Sequence, residues 1–167
     1  MDVFESIKKR YSVRSYKDLS VEKEKIVKII EAARLAPSAK NRQPWRFIII
    51  RDIKIKEELY VACKYQEFVR ESPVVIAAIA TSTDYVMSCG IPAHYVDLSI
   101  AVTNMMLIAV EQGLGSCWIG AFYQDKVKEI LEIKENEEIV ALLTVGYPAV
   151  SPHKKNRKAF NSIVEWK

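Results

Sequence analysis

The chain has 167 residues, 50% of them hydrophobic and 28% charged, a balance that excludes disorder and collagen-like composition and leaves enough apolar side chains for the core of one domain, residues 1–167. The longest charge-free stretches are Leu98–Val110, Gln112–Gln124 and Ile139–His153, each short of the ~18 apolar residues of a membrane span. Charged residues (Asp2, Glu5, Lys8, Lys9, Arg10) occupy the first ten positions, where a signal peptide would be apolar, so a cytoplasmic protein with no membrane partner is expected. Residues 1–150 hold 20 basic and 20 acidic side chains, and the net charge of +4 arises entirely in the last 17 residues, where Lys154, Lys155, Arg157, Lys158 and Lys167 face only Glu165. So local an excess suits one anionic group; a nucleic-acid partner would need a long basic face with stacking aromatics.

In chain order, Asp2 is a possible cap for a helix to Arg10 that puts Val3, Phe4 and Ile7 on one face. A second helix is expected from near Ser20, with Ile26, Ile29, Ile30 and Ala33 at helical spacing and Pro37 as its stop. Trp45 to Ile50 reads as a buried strand, Lys54 to Cys63 as a short helix, and Val74 to Ala80 as a second strand. Ala93 to Gln112 is the central helix, apolar nearly all round, with Gly113 just past its end. Gln124 to Leu131 forms a further helix and Ile139 to Val145 a strand. Strict alternation of strand and helix is absent, so the pattern predicts an α+β fold, a mixed sheet packed between helices, in preference to a doubly wound parallel sheet.

Cys63, Cys89 and Cys117 are widely spaced and form no CxxC pair, so neither a disulfide framework nor a zinc site is indicated and no metal is expected. With only His94 and His153 present, a nucleophile activated by imidazole is not indicated either, and no side chain is assigned as catalytic. Gly113-Leu114-Gly115-Ser116-Cys117-Trp118 begins like a dinucleotide fingerprint, but it follows a helix and has Trp118 at the third glycine position.

Four polar or glycine-rich segments remain. Arg10, Ser12 and Arg14 face one side if the chain there is extended, because strand side chains alternate. Ala36 to Trp45 crowds two prolines, two amides and a hydroxyl between a helix and a strand. Gly113 to Ala121 has small residues that let backbone N–H groups approach a ligand, with Trp118 as a flat apolar wall. Lys155-Asn156-Arg157 suits a terminal phosphate.

Arg10-x-Ser12-x-Arg14, Pro37-Ser38-Ala39-x-Asn41-x-Gln43-Pro44-Trp45, Gly113 to Gly120, and Gly146-Tyr147-Pro148 before Lys155-x-Arg157 resemble, in order and over nearly the whole chain, the nitroreductase family of FMN-dependent oxidoreductases. The resemblance implies a homodimer with shared flavin sites, one FMN per chain, NADH or NADPH as reductant and a small-molecule acceptor such as a nitroaromatic or quinone. By the same resemblance, Arg10, Tyr11 and Ser12 contact the phosphate and ribityl part of FMN. Arg14 reaches the pyrimidine edge, where a fixed cation favours the reduced ring. Pro37, Ser38, Ala39, Asn41 and Gln43 mark the loop that reaches the flavin largely from the partner subunit. Trp118, Ile119, Gly120 and Ala121 mark the segment under the ring, Lys155 and Arg157 the phosphate clamp, and Gln66 a candidate for the ring edge. The central helix is expected at the two-fold interface, with Met106 on its outward side. The chain is shorter than the larger members, leaving Thr81 to His94 as the stretch comparable to their substrate cover. A flavin enzyme of oxygen or dehalogenation chemistry, a non-catalytic flavin-binding sensor and a tail-mediated nucleic-acid binder are the alternatives.

Overall fold

The structure is a computed structural model that describes residues 1–152 and 156–167. Among the described residues there are six α-helices and four strands. They are α1 (Val3–Lys9), α2 (Lys23–Arg34), β1 (Trp45–Ile50), α3 (Ile53–Ala62), α4 (Glu67–Glu71), β2 (Val74–Ala80), α5 (Ala93–Glu111), β3 (Gly115–Ile119), α6 (Gln124–Ile130) and β4 (Glu138–Gly146). The sheet runs in the order β1-β2-β4-β3 with every neighbouring pair antiparallel. Its parallel component is a single bridge between Ser12 and Ser116, which lays the chain after α1 along the outer edge of β3.

Two apolar layers sandwich this sheet. On one face Ile76, Ala78, Leu143 and Val145 meet Ile26 and Ile29 of α2 and Leu98, Val102 and Met105 of α5. On the other, Val75, Ala77, Cys117, Ile119 and Leu142 meet Leu59 and Ala62 of α3, Phe68 and Val69 of α4, and Val127 of α6. β2 is buried along its whole length, as its unbroken run of Val, Ile and Ala requires when both faces are covered. Ala78 pairs with Ala141 and Ile79 with Ile139, so Val140 is an extra residue, a β-bulge. The bulge inverts the alternation along β4: Ile139 and Leu142 face the α3 side while Val140 and Leu143 face α5.

Asp2 caps α1, its carboxylate accepting from Glu5 N at 2.8 Å, yet the apolar residues of that helix do not face the core. Val3, Phe4 and Ile7 are exposed, and Ser6 is the residue buried against the rest of the fold. α2 starts at Lys23, three residues after Ser20, and ends before Pro37. α5 has the length and composition to cross a membrane by those criteria alone, although Asp97 interrupts its apolar run. In this fold it packs on α2, β2, β3 and β4 as a core helix. Met106 is 8% exposed and belongs to that core, not to an outward side. The uncovered stripe of α5 runs through Tyr95, Val96, Ser99, Ile100 and Thr103. Gly113 adopts a φ of +75°, which closes the end of α5 as a glycine there should.

Candidate functional site

Gly115 to Ile119, read from the sequence as a ligand loop, is an edge strand: the glycine opens β3, and a residue with a Cβ could not. A Cβ built on Gly115 would overlap the Val13 side chain and come within 2.9 Å of Pro148. That close approach lets Val13 N–H donate to Ser116 O at 3.0 Å and hold the Arg10–Arg14 segment on the sheet edge. The following residues pair with the chain after β4: Ala149 N–H donates to Ser15 O at 3.0 Å, Lys17 N–H to Tyr147 O at 2.8 Å, and Tyr11 Oη to Val150 O at 2.7 Å. Beneath them the half-buried Tyr16 places its hydroxyl 2.7 Å from Thr144 Oγ1 and 3.0 Å from Val13 O.

Arg10, Ser12 and Arg14 converge as their alternation predicts. All three act on the Cys117 thiol, which burial pushes up in pKa while the Arg14 charge, the Ser12 side chain and the Arg10 charge oppose the shift. The thiol is therefore a neutral floor. The Arg14 guanidinium stands 5.8 Å from the centre of the Phe68 ring in α4. Next to Phe68, the Gln66 amide donates to Cys63 O at 2.9 Å and to Ala121 O at 3.1 Å. The first motif, the segment after β3 and Gln66 thus meet in one corner. Ser12, Arg14, Gly120 and Ala121 are exposed there, and Ile119 is buried so that only its backbone is available.

Trp118 does not share that face. Alternation along β3 sends its ring to the α5 side, where it packs against that apolar layer, so it does not wall the corner that holds Arg14. Its indole nitrogen lies 3.8 Å from where a Cβ of Gly120 would stand, and it is the nearest atom to that position. The backbone at Gly120 is consequently open to a flat ligand.

The Ser38–Gln43 loop lies elsewhere. It leads into β1, at the opposite edge of the sheet from β3, three strand spacings or about 14 Å away. Lys40, Asn41 and Gln43 all have left-handed φ values, 53°, 54° and 51°. Internal bonds hold this shape: Gln43 N–H donates to Ser38 Oγ at 3.0 Å, and the Gln43 amide donates to Asn41 O at 3.2 Å and Asn41 Oδ1 at 3.1 Å. Arg42 pairs with Asp84 at 3.0 Å, and Lys40 and Arg42 lie 4.9 and 5.1 Å from the centre of the Tyr85 ring, so the Thr81 to His94 stretch backs the loop. Pro37 is exposed and Ala39 half-buried. Lys155 lies outside the described residues. Arg157 is exposed, its Nη1 donating to Asn156 O at 2.8 Å.

Two residues of these sites went unread in the sequence. Phe68 gave no signal of its own. Asp97 did: it is the single acidic residue of α5 before Glu111, and it is buried at 2% exposure.

A four-stranded antiparallel sheet between two helical layers, with a two-cation corner at the β3 edge, is the architecture on which the candidate site stands. The family model described as the nitroreductase family matches residues 7–64 and 60–147. A Methanothermobacter thermautotrophicus protein named as an NADH dehydrogenase/NAD(P)H nitroreductase is 36% identical over 157 residues, covering 91% of this chain and 80% of its own. A Clostridium difficile nitroreductase family protein superposes with a TM-score of 0.89 at 34% identity, covering 100% of this chain and 99% of that one. A second C. difficile structure, described as an FMN-dependent nitroreductase, gives 0.84 at 30% identity and 96% coverage of both chains. The chain belongs to the nitroreductase family, and by class it is an oxidoreductase.

Proposed function

We propose that this protein is an FMN-dependent oxidoreductase of the cytoplasm. It draws electrons from NADH or NADPH, releases the oxidised nicotinamide, and passes them by a ping-pong mechanism to a small organic acceptor such as a nitroaromatic or a quinone. The supporting observation is the corner itself. Among the described residues Arg10 and Arg14 have no carboxylate partner, as Arg51 and Arg157 have none, while Arg34, Arg42, Arg46 and Arg70 each have one; what sets Arg10 and Arg14 apart is that both act on the same buried thiol, Cys117. Two guanidinium groups kept free beside a neutral thiol, an open glycine backbone and a positioned amide fit an anionic ligand with a flat polar edge, as FMN is.

FMN, when bound, supplies the two-electron chemistry. In this reading Arg10, Tyr11 and Ser12 hold its phosphate and ribityl chain, with Lys155 and Arg157 closing over the phosphate. Arg14, steadied by Phe68, holds a positive charge at the ring's pyrimidine edge. The Ile119–Ala121 backbone presents its polar groups beneath the ring, and Gln66 fixes that backbone through Ala121. No side chain serves as an obligatory acid or base, because binding, orientation and charge are what the protein has to provide.

The Ser38–Gln43 loop completes the site from a second copy of the chain in a homodimer. Its distance from Arg14 across the sheet supports that assignment, as do the uncovered stripe of α5 and the exposed apolar residues of α1. The test is the visible spectrum of the purified protein, followed by chromatography of the heat-released cofactor and anaerobic titration with NADH and NADPH. A yellow protein that releases FMN and bleaches within turnover time supports the reading, and a colourless protein that takes up no FMN overturns it.

A further inference from the structure

Asp97 is an anomaly of α5. Apart from His94 one turn earlier, the buried residues of α5, among them Leu98, Ala101, Val102 and Met105, are apolar, yet Asp97 is only 2% exposed and its Oδ2 has no hydrogen-bond partner among the described residues. A carboxyl group offers about four acceptor positions, and leaving them empty in a core is costly. The one bond it does make leaves its own element: Ala39 N–H donates to Asp97 Oδ1 at 2.9 Å.

That N–H is the first of the short 3-10 turn Ala39–Asn41, whose cap residue is Ser38. A serine in this place ordinarily caps the turn with its own hydroxyl. Here Ser38 makes no such bond; its Oγ accepts from Gln43 N–H and closes the loop from the far side. Asp97 takes over the vacated capping role from another element. The loop needs both anchors, because three non-glycine residues in the left-handed region each cost on the order of 1 kcal/mol or more and persist only where their surroundings over-determine them.

We infer that Asp97 is the positioning residue of the flavin-facing loop: by holding Ala39 N–H it fixes the strained conformation in which Ser38, Asn41 and Gln43 meet the FMN of the other subunit. The inference rests on the FMN reading above. It also makes α5 the common support of two things, the exposed stripe around Val96 and the loop that crosses to the neighbouring site.

Three variants of the full-length, FMN-loaded protein test it. Asp97→Asn retains an acceptor oxygen for Ala39 N–H, and its FMN dissociation constant should stay within about twofold of the parent. Asp97→Ala removes the acceptor and should raise that constant fivefold or more. It should also change the visible circular dichroism of the FMN that remains bound, which a merely structural residue would not alter. Ala39→Pro removes the donor instead, without touching the core. Ser38 is extended, with φ −140° and ψ 156°, so a following proline is compatible with the turn. Ala39→Pro should reproduce the Asp97→Ala effect, and the double variant should be no worse than the larger single one. Should Asp97→Ala fail to fold, Ala39→Pro decides alone. If parent and Ala39→Pro proteins bind FMN equally with the same dichroism, the positioning role is overturned while the FMN reading stands. A parent protein that binds no FMN removes both.

Discussion

Gln66 Nε2 donates to Ala121 O at 3.1 Å, and this bond across 55 residues ties the start of α4 to the chain leaving β3. It fixes the far wall of the corner in which Arg14 stands. In the proposed site it sets how closely the Gly120 backbone can lie against a flat ring.

Arg14→Met should leave FMN bound and make it harder to reduce. Phe68 packs beside the guanidinium and will accept a methionine side chain, so the corner keeps its shape while it loses its charge. A cation withdrawn from the pyrimidine edge destabilises the more negative reduced ring. The midpoint potential of the bound FMN should fall and its reduction by NAD(P)H should slow. An unchanged potential in a protein still holding FMN would remove Arg14 from the ring.

Lys155→Ala combined with Arg157→Ala should weaken FMN binding by at least about tenfold, since each charge-assisted bond is worth roughly 1.5–3 kcal/mol. Riboflavin, which lacks the phosphate, should lose far less. Titrating both ligands by fluorescence quenching separates the cases, and equal losses would take the two cations off the phosphate.

Gly115→Ala should destabilise the fold by about 1–3 kcal/mol, the usual cost of overpacking a filled core. The new methyl would meet the stiff, β-branched Val13 and Pro148. Because Val13 holds Arg10 to Arg14 on the sheet edge, FMN affinity should decline together with the urea midpoint. A variant as stable as the parent would show that this edge is loosely held.

Val96→Glu should separate the subunits and release FMN together. Val96 is 37% exposed on the uncovered stripe of α5, so a charge there is tolerated by the single chain and resisted only by a partner. Met106→Glu, by contrast, would strike the chain's own core. Size-exclusion chromatography with flavin absorbance reads both outcomes. A monomer retaining one FMN per chain would show each site to be complete within one chain.

The buried Glu137 carboxylate, paired with Arg46 at 2.6 Å, is held below the usual carboxylate range by that guanidinium. A depressed carboxyl pKa stabilises the fold at pH values above the unfolded pKa, about 4.3, and the contribution disappears as pH falls through the folded value. Glu137→Gln should therefore cost about 1 kcal/mol near neutrality, Arg46 being partly exposed, and progressively less as the solution is acidified. Thermal melts of both proteins from pH 7 to pH 3 should converge. A constant gap would assign the effect to packing.

Local patterns in the sequence were legible where burial alone decides structure. Trp45–Ile50 and Val74–Ala80 carry long β-branched runs and form strands over those residues. β3 was not legible, because Gly115, Ser116 and Cys117 favour no strand by themselves and are held extended by β4 and Val13. The outward side of α5 was misjudged at Met106 for a related reason: a helix apolar all round shows no phase. Within the site, alternation sufficed to place Arg10, Ser12 and Arg14 together, while the meeting of Gln66 with Ala121, and of Ala39 with Asp97, depends on packing between distant elements.

Tyr11 and Val150 are joined by a hydrogen bond across 139 residues, and the Ser15–Lys17 segment is paired with Tyr147–Ala149 beside it. During synthesis at about 5–20 residues per second, roughly 7–28 s separate the making of these two residues. The edge that bears Arg10, Ser12 and Arg14 cannot close until the final strand has left the ribosome. Nascent chains therefore lack the completed corner, and in the proposed site a phosphorylated ligand is held only once β4 is in place.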